Sequence, residues 1–105
     1  MSRVVVYRPG VMGAAVKPIV SIDGNAAGRC VAKGVFFVDV PKGRHIVSAT
    51  TEVQRQTVVD TTNENTAYVR CGIGLGFFVG QPRLEVVPAQ QGAAESADLS
   101  FTGSY

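Results

Sequence analysis

Valine dominates the apolar residues of this chain, and that bias limits the fold more than any other feature. The 105 residues include 18 Val and 4 Ile but only 3 Leu. β-Branched side chains lose rotamer freedom in helices and pack well on the pleated surface of a sheet. A helical bundle of this length would use far more leucine, so we expect a single β-rich domain.

Strand-like segments are short and are separated by glycine, proline and polar turns. Seven or eight strands at this spacing predict one all-β domain, a small antiparallel β-sandwich or barrel. The segments with strand character are residues 3–8, 18–23, 28–32, 35–40, 44–51, 53–60, 67–72 and 83–87.

Alternation is clearest in the middle of the chain. Phe36, Val38 and Val40 share one face of their segment, because alternate side chains of a strand point the same way. The Pro-Lys-Gly sequence at residues 41–43 predicts the loop of a hairpin, in which Gly43 adopts a positive φ.

The composition changes near residue 89, where alanine, glutamine, glutamate and serine replace the β-branched residues. We therefore expect a β-sandwich domain over residues 1–88 and a C-terminal segment over 89–105 that is partly helical or frayed. A short surface helix is predicted over residues 93–99. No apolar run approaches the roughly 20 residues that a membrane-spanning helix needs.

The charge pattern argues against nucleic acid as a partner. The net charge is +2, and the ten basic residues are dispersed along the chain. A nucleic-acid surface combines clustered cations with aromatic side chains on which bases stack.

The chain also lacks the usual materials of an active site. His45 is the only histidine, and a metal centre normally requires several nitrogen or sulfur ligands at close spacing. The glycines at 72, 74 and 76 do not match a phosphate-binding fingerprint. We expect no catalytic residue, no metal and no cofactor, and we expect His45 to pack or hydrogen-bond next to the turn at 41–43.

An ordered set of motifs resembles a bacterial family of unknown function that is often found on small envelope lipoproteins. The family pattern has a leading strand that ends in Tyr-Arg-Pro, an Asp-Gly turn, and a Pro-x-Gly-x-His turn. The matching segments are VVVYRP (4–9), VSIDGNAAGR (20–29), GVFFVDVPKGRHIVSA (34–49), AYVRCGI (67–73) and PRLEVVP (82–88).

The resemblance implies a β-sandwich in the Gram-negative envelope, periplasmic or associated with the outer membrane, with no assigned activity. The chain carries no lipobox cysteine, which the removal of a leader segment would explain. Membrane contact is expected only through a lipid anchor on such a removed segment. A cytoplasmic location is the alternative.

These observations lead to two functional hypotheses. The first is a non-catalytic structural or protein-interaction domain of the envelope, whose partner is another envelope protein or a second copy of the chain. The second is a module that binds a glycan, peptide or lipid. Its candidate contact surface comprises Tyr7, Tyr68, Phe77 and Phe78.

Two pairings are predicted at the level of single residues. Arg8 and Glu85 lie in the first and last strand segments of the family pattern, so these strands are predicted to be neighbours with the two charges in ion-pair range.

The second pair is Cys30 and Cys71, the only cysteines of the chain. In an oxidising envelope compartment they could form a disulfide, which would stabilise the fold by about 4 kcal/mol. Two separate buried thiols are the alternative. Cys71 shares a predicted face with Val69, whereas the segment around Cys30 is too short to assign, so the sequence leaves both alternatives open.

Overall fold

Short strands make up most of the chain, as the valine content predicts. The computed structural model describes residues 1–74 and 81–103. In chain order the elements are β1 (Ser2–Tyr7), β2 (Ile19–Ile22), β3 (Asn25–Arg29), β4 (Gly34–Val40), β5 (Arg44–Thr50), β6 (Gln54–Asp60), β7 (Thr66–Gly74), β8 (Gln81–Val87), α1 (Ala89–Ser96) and β9 (Ser100–Phe101).

One sheet contains five strands in the order β8-β7-β1-β4-β9. β1 lies at its centre, antiparallel to β4 and parallel to β7. Val4 is therefore paired with Val38 on one side and with Ala67 on the other. This arrangement places the most valine-rich strand between two neighbours that protect both of its edges.

The second sheet contains four antiparallel strands in the order β3-β2-β5-β6. The ladder between β5 and β6 runs from Arg44 opposite Asp60 to Thr50 opposite Gln54. The register between β2 and β3 shifts between Val20 and Ser21. This irregularity lies close to the end of β3, where Cys30 follows.

The two sheets face each other across one apolar core, an arrangement that fits a β-sandwich. Both sheets contribute alternate side chains to it, and the predicted shared face of Phe36, Val38 and Val40 is confirmed. The buried members of the core are Val4, Val6, Val20, Ile22, Ala27, Cys30, Phe36, Val40, Val47, Val59, Ala67, Val69 and Cys71.

The all-β prediction is confirmed, but three details differ. The described residues form nine strands rather than seven or eight, and the two sheets do not close into a barrel. Two strand pairs, β1 with β7 and β4 with β9, are parallel. Side-chain alternation cannot reveal strand direction, because a strand buries the same face whichever way it runs.

The predicted hairpin around residues 41–43 is wrong. β4 belongs to the five-stranded sheet and β5 to the four-stranded sheet, so this turn carries the chain across the core from one sheet to the other. Gly43 does adopt a positive φ of 143°, as expected. Turn residues report a local change of direction, and a crossover between sheets requires the same chemistry as a hairpin.

The described part of the C-terminal segment, residues 89–103, contains a helix, as expected, and also a short strand that was not predicted. The helix α1 begins four residues before the expected start, and Ser100 and Phe101 then form β9 against the start of β4. Helix and strand are both short, and contacts with the five-stranded sheet hold them. Local sequence preferences alone would not reveal such tertiary support.

The two sheets pack closely where Gly28 faces the ring of Phe36, and this contact yields a stability prediction. A Cβ atom at this position would lie 2.9 Å from ring carbons of Phe36, whereas one at Gly72 would meet no described atom within 4 Å. We expect Gly28→Ala to lower the free energy of unfolding by about 1–3 kcal/mol through overpacking. Gly72→Ala is the matched control and should change it by less than about 0.5 kcal/mol. Urea denaturation measures both, and equal values for the two variants would contradict the packing described here.

Candidate functional site

The end of β1 carries a buried arginine that is bonded entirely to backbone carbonyls. Arg8 is only 1% exposed. Its Nη1 donates to the carbonyls of Val16 and Cys30 at 2.8 Å each, and its Nη2 donates to those of Met12 and Gly13 at 2.9 and 3.0 Å. Burial lowers the pKa of Arg8, yet an arginine remains charged in proteins, so the four carbonyl dipoles solvate a buried cation.

A disulfide lies next to this arginine and joins the two sheets. Cys30 follows β3 in the four-stranded sheet, and Cys71 belongs to β7 in the five-stranded sheet. Their Cα atoms are 6.2 Å apart, and both side chains lie in the core. Since Arg8 bonds the carbonyl of Cys30, the cation and the covalent link fix the same end of the molecule.

A cavity of about 340 Å³ opens beside Arg8 at this end. Three arginines and one glutamate line it, a local balance of +2 (3 − 1), together with apolar and backbone groups. The charged lining residues are Arg8, Arg70, Arg83 and Glu85. This balance suits an anionic group better than a cation.

The predicted ion pair between Arg8 and Glu85 is wrong. β7 lies between β1 and β8, so the two segments are not neighbours, and Arg8 uses its donors on carbonyls. Glu85 instead pairs with Arg70, which lies opposite it in the ladder between β7 and β8. The partner of a charge depends on strand order, which the sequence motifs did not contain.

The helix α1 covers the face on which Tyr7 and Tyr68 were predicted to make contacts. Tyr7 is fully buried, and a Cβ atom on Gly92 of the helix would lie 2.2 Å from Cγ of Tyr68. The Tyr7 hydroxyl donates to Glu95 at 2.5 Å, and burial and then this carboxylate raise the pKa of Tyr7 far above its usual value. The two tyrosines therefore dock the chain's own helix and do not form a free contact surface.

The other two residues of that predicted surface, Phe77 and Phe78, lie outside the described residues.

The sequence did not predict the ion pair between Arg70 and Glu95, in which Nη1 and Oε2 lie 3.1 Å apart. Strand alternation does place Tyr68 and Arg70 on the face opposite the core. A polar and aromatic outer face beside a helix-forming segment was the signal that could have revealed this docking.

His45 forms a polar link at the opposite end of the strands. Its Nδ1 lies 2.6 Å from Oδ2 of Asp23, and its Nε2 lies 2.6 Å from the carbonyl oxygen of Pro41. A carbonyl and a carboxylate can only accept, so both contacts are hydrogen bonds when the imidazole is in its cationic form, with a proton on each ring nitrogen. The bond to Asp23, followed by the one to Pro41, raises the pKa of His45.

Within residues 1–74 and 81–103, no group of three or more histidine, cysteine or acidic side chains could hold a metal ion. No helix in the described part of the chain has the length and apolar composition needed to cross a bilayer. The cavity beside Arg8 can offer a bound group hydrogen bonds, positive charge and apolar contact.

The link between His45 and Asp23 yields a pH prediction. Because the folded pKa of His45 is raised, its contribution to stability is complete below the unfolded value of about 6.5 and is lost as pH rises through the folded pKa. His45 lowers the pKa of Asp23, so that contribution is present above about pH 4 and is lost in stronger acid. Stability from this pair should be greatest between about pH 4 and 6.5 and decline above that range.

Asp23→Asn removes the main cause of the raised pKa of His45. We expect this variant to lose much of the decline in unfolding free energy that the parent protein shows above about pH 6.5. Asp60→Asn is the matched control, because Asp60 also bonds a backbone N–H, that of Thr62, but has no histidine partner. Urea denaturation across this pH range provides the test, and identical pH profiles for Asp23→Asn and the parent protein would refute the assignment.

Comparison with known proteins found a distant relative by sequence. Over 105 residues the chain is 25% identical to a protein of Haemophilus influenzae that is described as uncharacterized. The match covers 99% of this chain and 62% of the relative, so the chain spans less than two thirds of the relative's length. No protein-family model matches the chain, and no solved structure matches it. Membership of the envelope-lipoprotein family stays a prediction, and the function must be inferred from the residues themselves.

Proposed function

We propose that this chain is a non-catalytic interaction domain of the bacterial cell envelope, built as a disulfide-linked β-sandwich. The observation that carries the proposal is the bridge between Cys30 and Cys71 across the two sheets. Disulfides persist in oxidising compartments such as the periplasm and are rare where thiols are kept reduced. The bridge closes a loop with a sequence separation of 41, which is worth about 4 kcal/mol in the chain-entropy model.

An aromatic patch on the outer face of the five-stranded sheet supports a protein partner. We define it as Phe37 and Phe101, whose ring centroids are 5.6 Å apart. Phe101 is 64% exposed, and the guanidinium carbon of Arg3 lies 3.9 Å from the centroid of the Phe37 ring. Phenylalanine and arginine are both enriched at protein interfaces relative to the rest of the protein surface.

The edge of the same sheet adds a second recognition element. β9 pairs with β4 only at Gly34 and Val35, so residues 36–40 have no strand on that side among the described residues. An extended segment of a partner could continue the sheet here by main-chain hydrogen bonds. Phe101 would then contact the side chains of the added strand.

A photo-crosslinking test in the native host addresses both the partner and the compartment. A benzoylphenylalanine residue at position 101 should give a discrete adduct in the envelope fraction, either with another protein or with a second copy of the chain. The same residue at position 58, an exposed site in the other sheet, should give none. In protein unfolded without reductant from that fraction, thiol titration should detect no free cysteine.

Two results would count against this proposal. Equal crosslinking from positions 101 and 58 would show that the aromatic patch is not a specific binding surface. Recovery of the protein from a reducing fraction with two titratable thiols would contradict the envelope location.

A further inference from the structure

The loop after β1 exposes apolar side chains without any charge. From Pro9 to Val16 no side chain carries a charge or a hydrogen-bonding group. Val11 is 61% exposed and Met12 is 56% exposed. We call residues 9–16 the apolar loop. Contiguous exposed apolar side chains are a feature of surfaces that contact membranes or other proteins.

Four of the eight carbonyl groups of the apolar loop have hydrogen-bond partners within the protein. Arg8 binds the carbonyls of Met12, Gly13 and Val16. The carbonyl of Val11 accepts the N–H of Ala14 at 3.1 Å. Irregular backbone enters a lipid environment at a tolerable cost only when its polar groups are satisfied within the protein. Arg8 lowers this cost for three of the carbonyls in the apolar loop.

The shape of the loop is also fixed before any contact is made. Gly13 adopts a positive φ of 66°, and its carbonyl accepts the Val16 N–H at 2.9 Å. A Cβ atom on Gly13 would lie 3.0 Å from the side chain of Ile73, so the loop lies against β7. A preorganised loop loses little conformational entropy when it inserts into a surface.

Cationic groups lie next to the apolar loop. Pro9, Gly10 and Met12 of the loop line the same cavity as Arg70 and Arg83. Arg70 is neutralised by Glu85 and Glu95, but Arg83 makes no ion pair with any described residue. The buried Arg8 adds a further positive charge, which is stabilised by four backbone carbonyl groups and not by a carboxylate. Apolar side chains at a tip, with a cationic pocket directly behind them, match the layering of acyl chains and phosphate groups at a bilayer surface.

We propose that this end of the molecule binds the surface of an anionic phospholipid bilayer, with Val11 and Met12 inserted among the acyl chains and a lipid phosphate held near Arg83. The inference relies on the proposed function only for its compartment, since the envelope contains membrane surfaces. It concerns a different surface from the aromatic patch and does not require a lipid anchor.

Cosedimentation with vesicles tests the proposal on the purified, oxidised chain. We expect binding to vesicles of equal parts phosphatidylcholine and phosphatidylglycerol, and much weaker binding to phosphatidylcholine alone. Added salt should weaken the binding, because charges near the surface are screened. The chain has no tryptophan, so Met12→Trp provides a depth probe whose emission should shift to the blue on binding. Val58→Trp should show no shift.

Matched variants separate the apolar contribution to vesicle binding from the electrostatic contribution. Val11→Asp should weaken vesicle binding at least about tenfold, because a charge replaces an inserted apolar group. Val58→Asp, at an exposed valine in the other sheet, should bind like the parent protein. Arg83→Glu should abolish the preference for phosphatidylglycerol, whereas Arg55→Glu, which makes the same charge change on β6, should change it far less.

Three results would overturn the proposal. The first is the absence of vesicle binding, and the second is equal binding by Val11→Asp and Val58→Asp. The third is binding of inorganic phosphate in the cavity without binding to vesicles, which would assign the cavity to a dissolved anion. None of them would affect crosslinking from position 101, so failure here is distinguishable from failure of the proposed function.

Discussion

The buried guanidinium of Arg8 is the interaction on which one whole end of the molecule depends. A cation removed from water must be solvated by the protein, and here four backbone carbonyls do so in place of a carboxylate. Those carbonyls belong to the loop after β1 and to Cys30 at the end of β3. The arginine therefore ties the central strand of one sheet to the edge strand of the other, beside the disulfide that makes the same connection covalently.

Different interactions stabilise the two ends of the strands, and each end presents a different surface. At one end, Arg8 and the disulfide fix an apolar loop above a cationic cavity. At the other end, His45 connects the turn at Asp23 to the crossover at Pro41 through two charge-assisted bonds. Between them, α1 covers part of the outer face of the five-stranded sheet and leaves Phe101 exposed. The described residues thus present two distinct exposed apolar surfaces, the aromatic patch and the apolar loop.

The sequence predicted the features that depend on local periodicity. Alternation correctly grouped Phe36 with Val38 and Val40, and Cys71 with Val69, because a strand with one buried face repeats every two residues. Strand order, strand direction and the covering of Tyr7 by α1 depend on contacts between distant segments, and no local pattern encodes them. For that reason the motif-based pairing of Arg8 with Glu85 failed, while the turn at 41–43 was located correctly but assigned to the wrong connection.

Nitrogen-15 NMR of the arginine side chains tests the central role of Arg8 most directly. Exposed guanidinium groups rotate and exchange their protons rapidly with water, so their Nη signals are averaged. Four hydrogen bonds to fixed carbonyls should instead give Arg8 separate Nη resonances, with slowly exchanging protons and cross-peaks to the loop at residues 12–16. Averaged, rapidly exchanging Nη signals from every arginine of the folded chain would contradict this account.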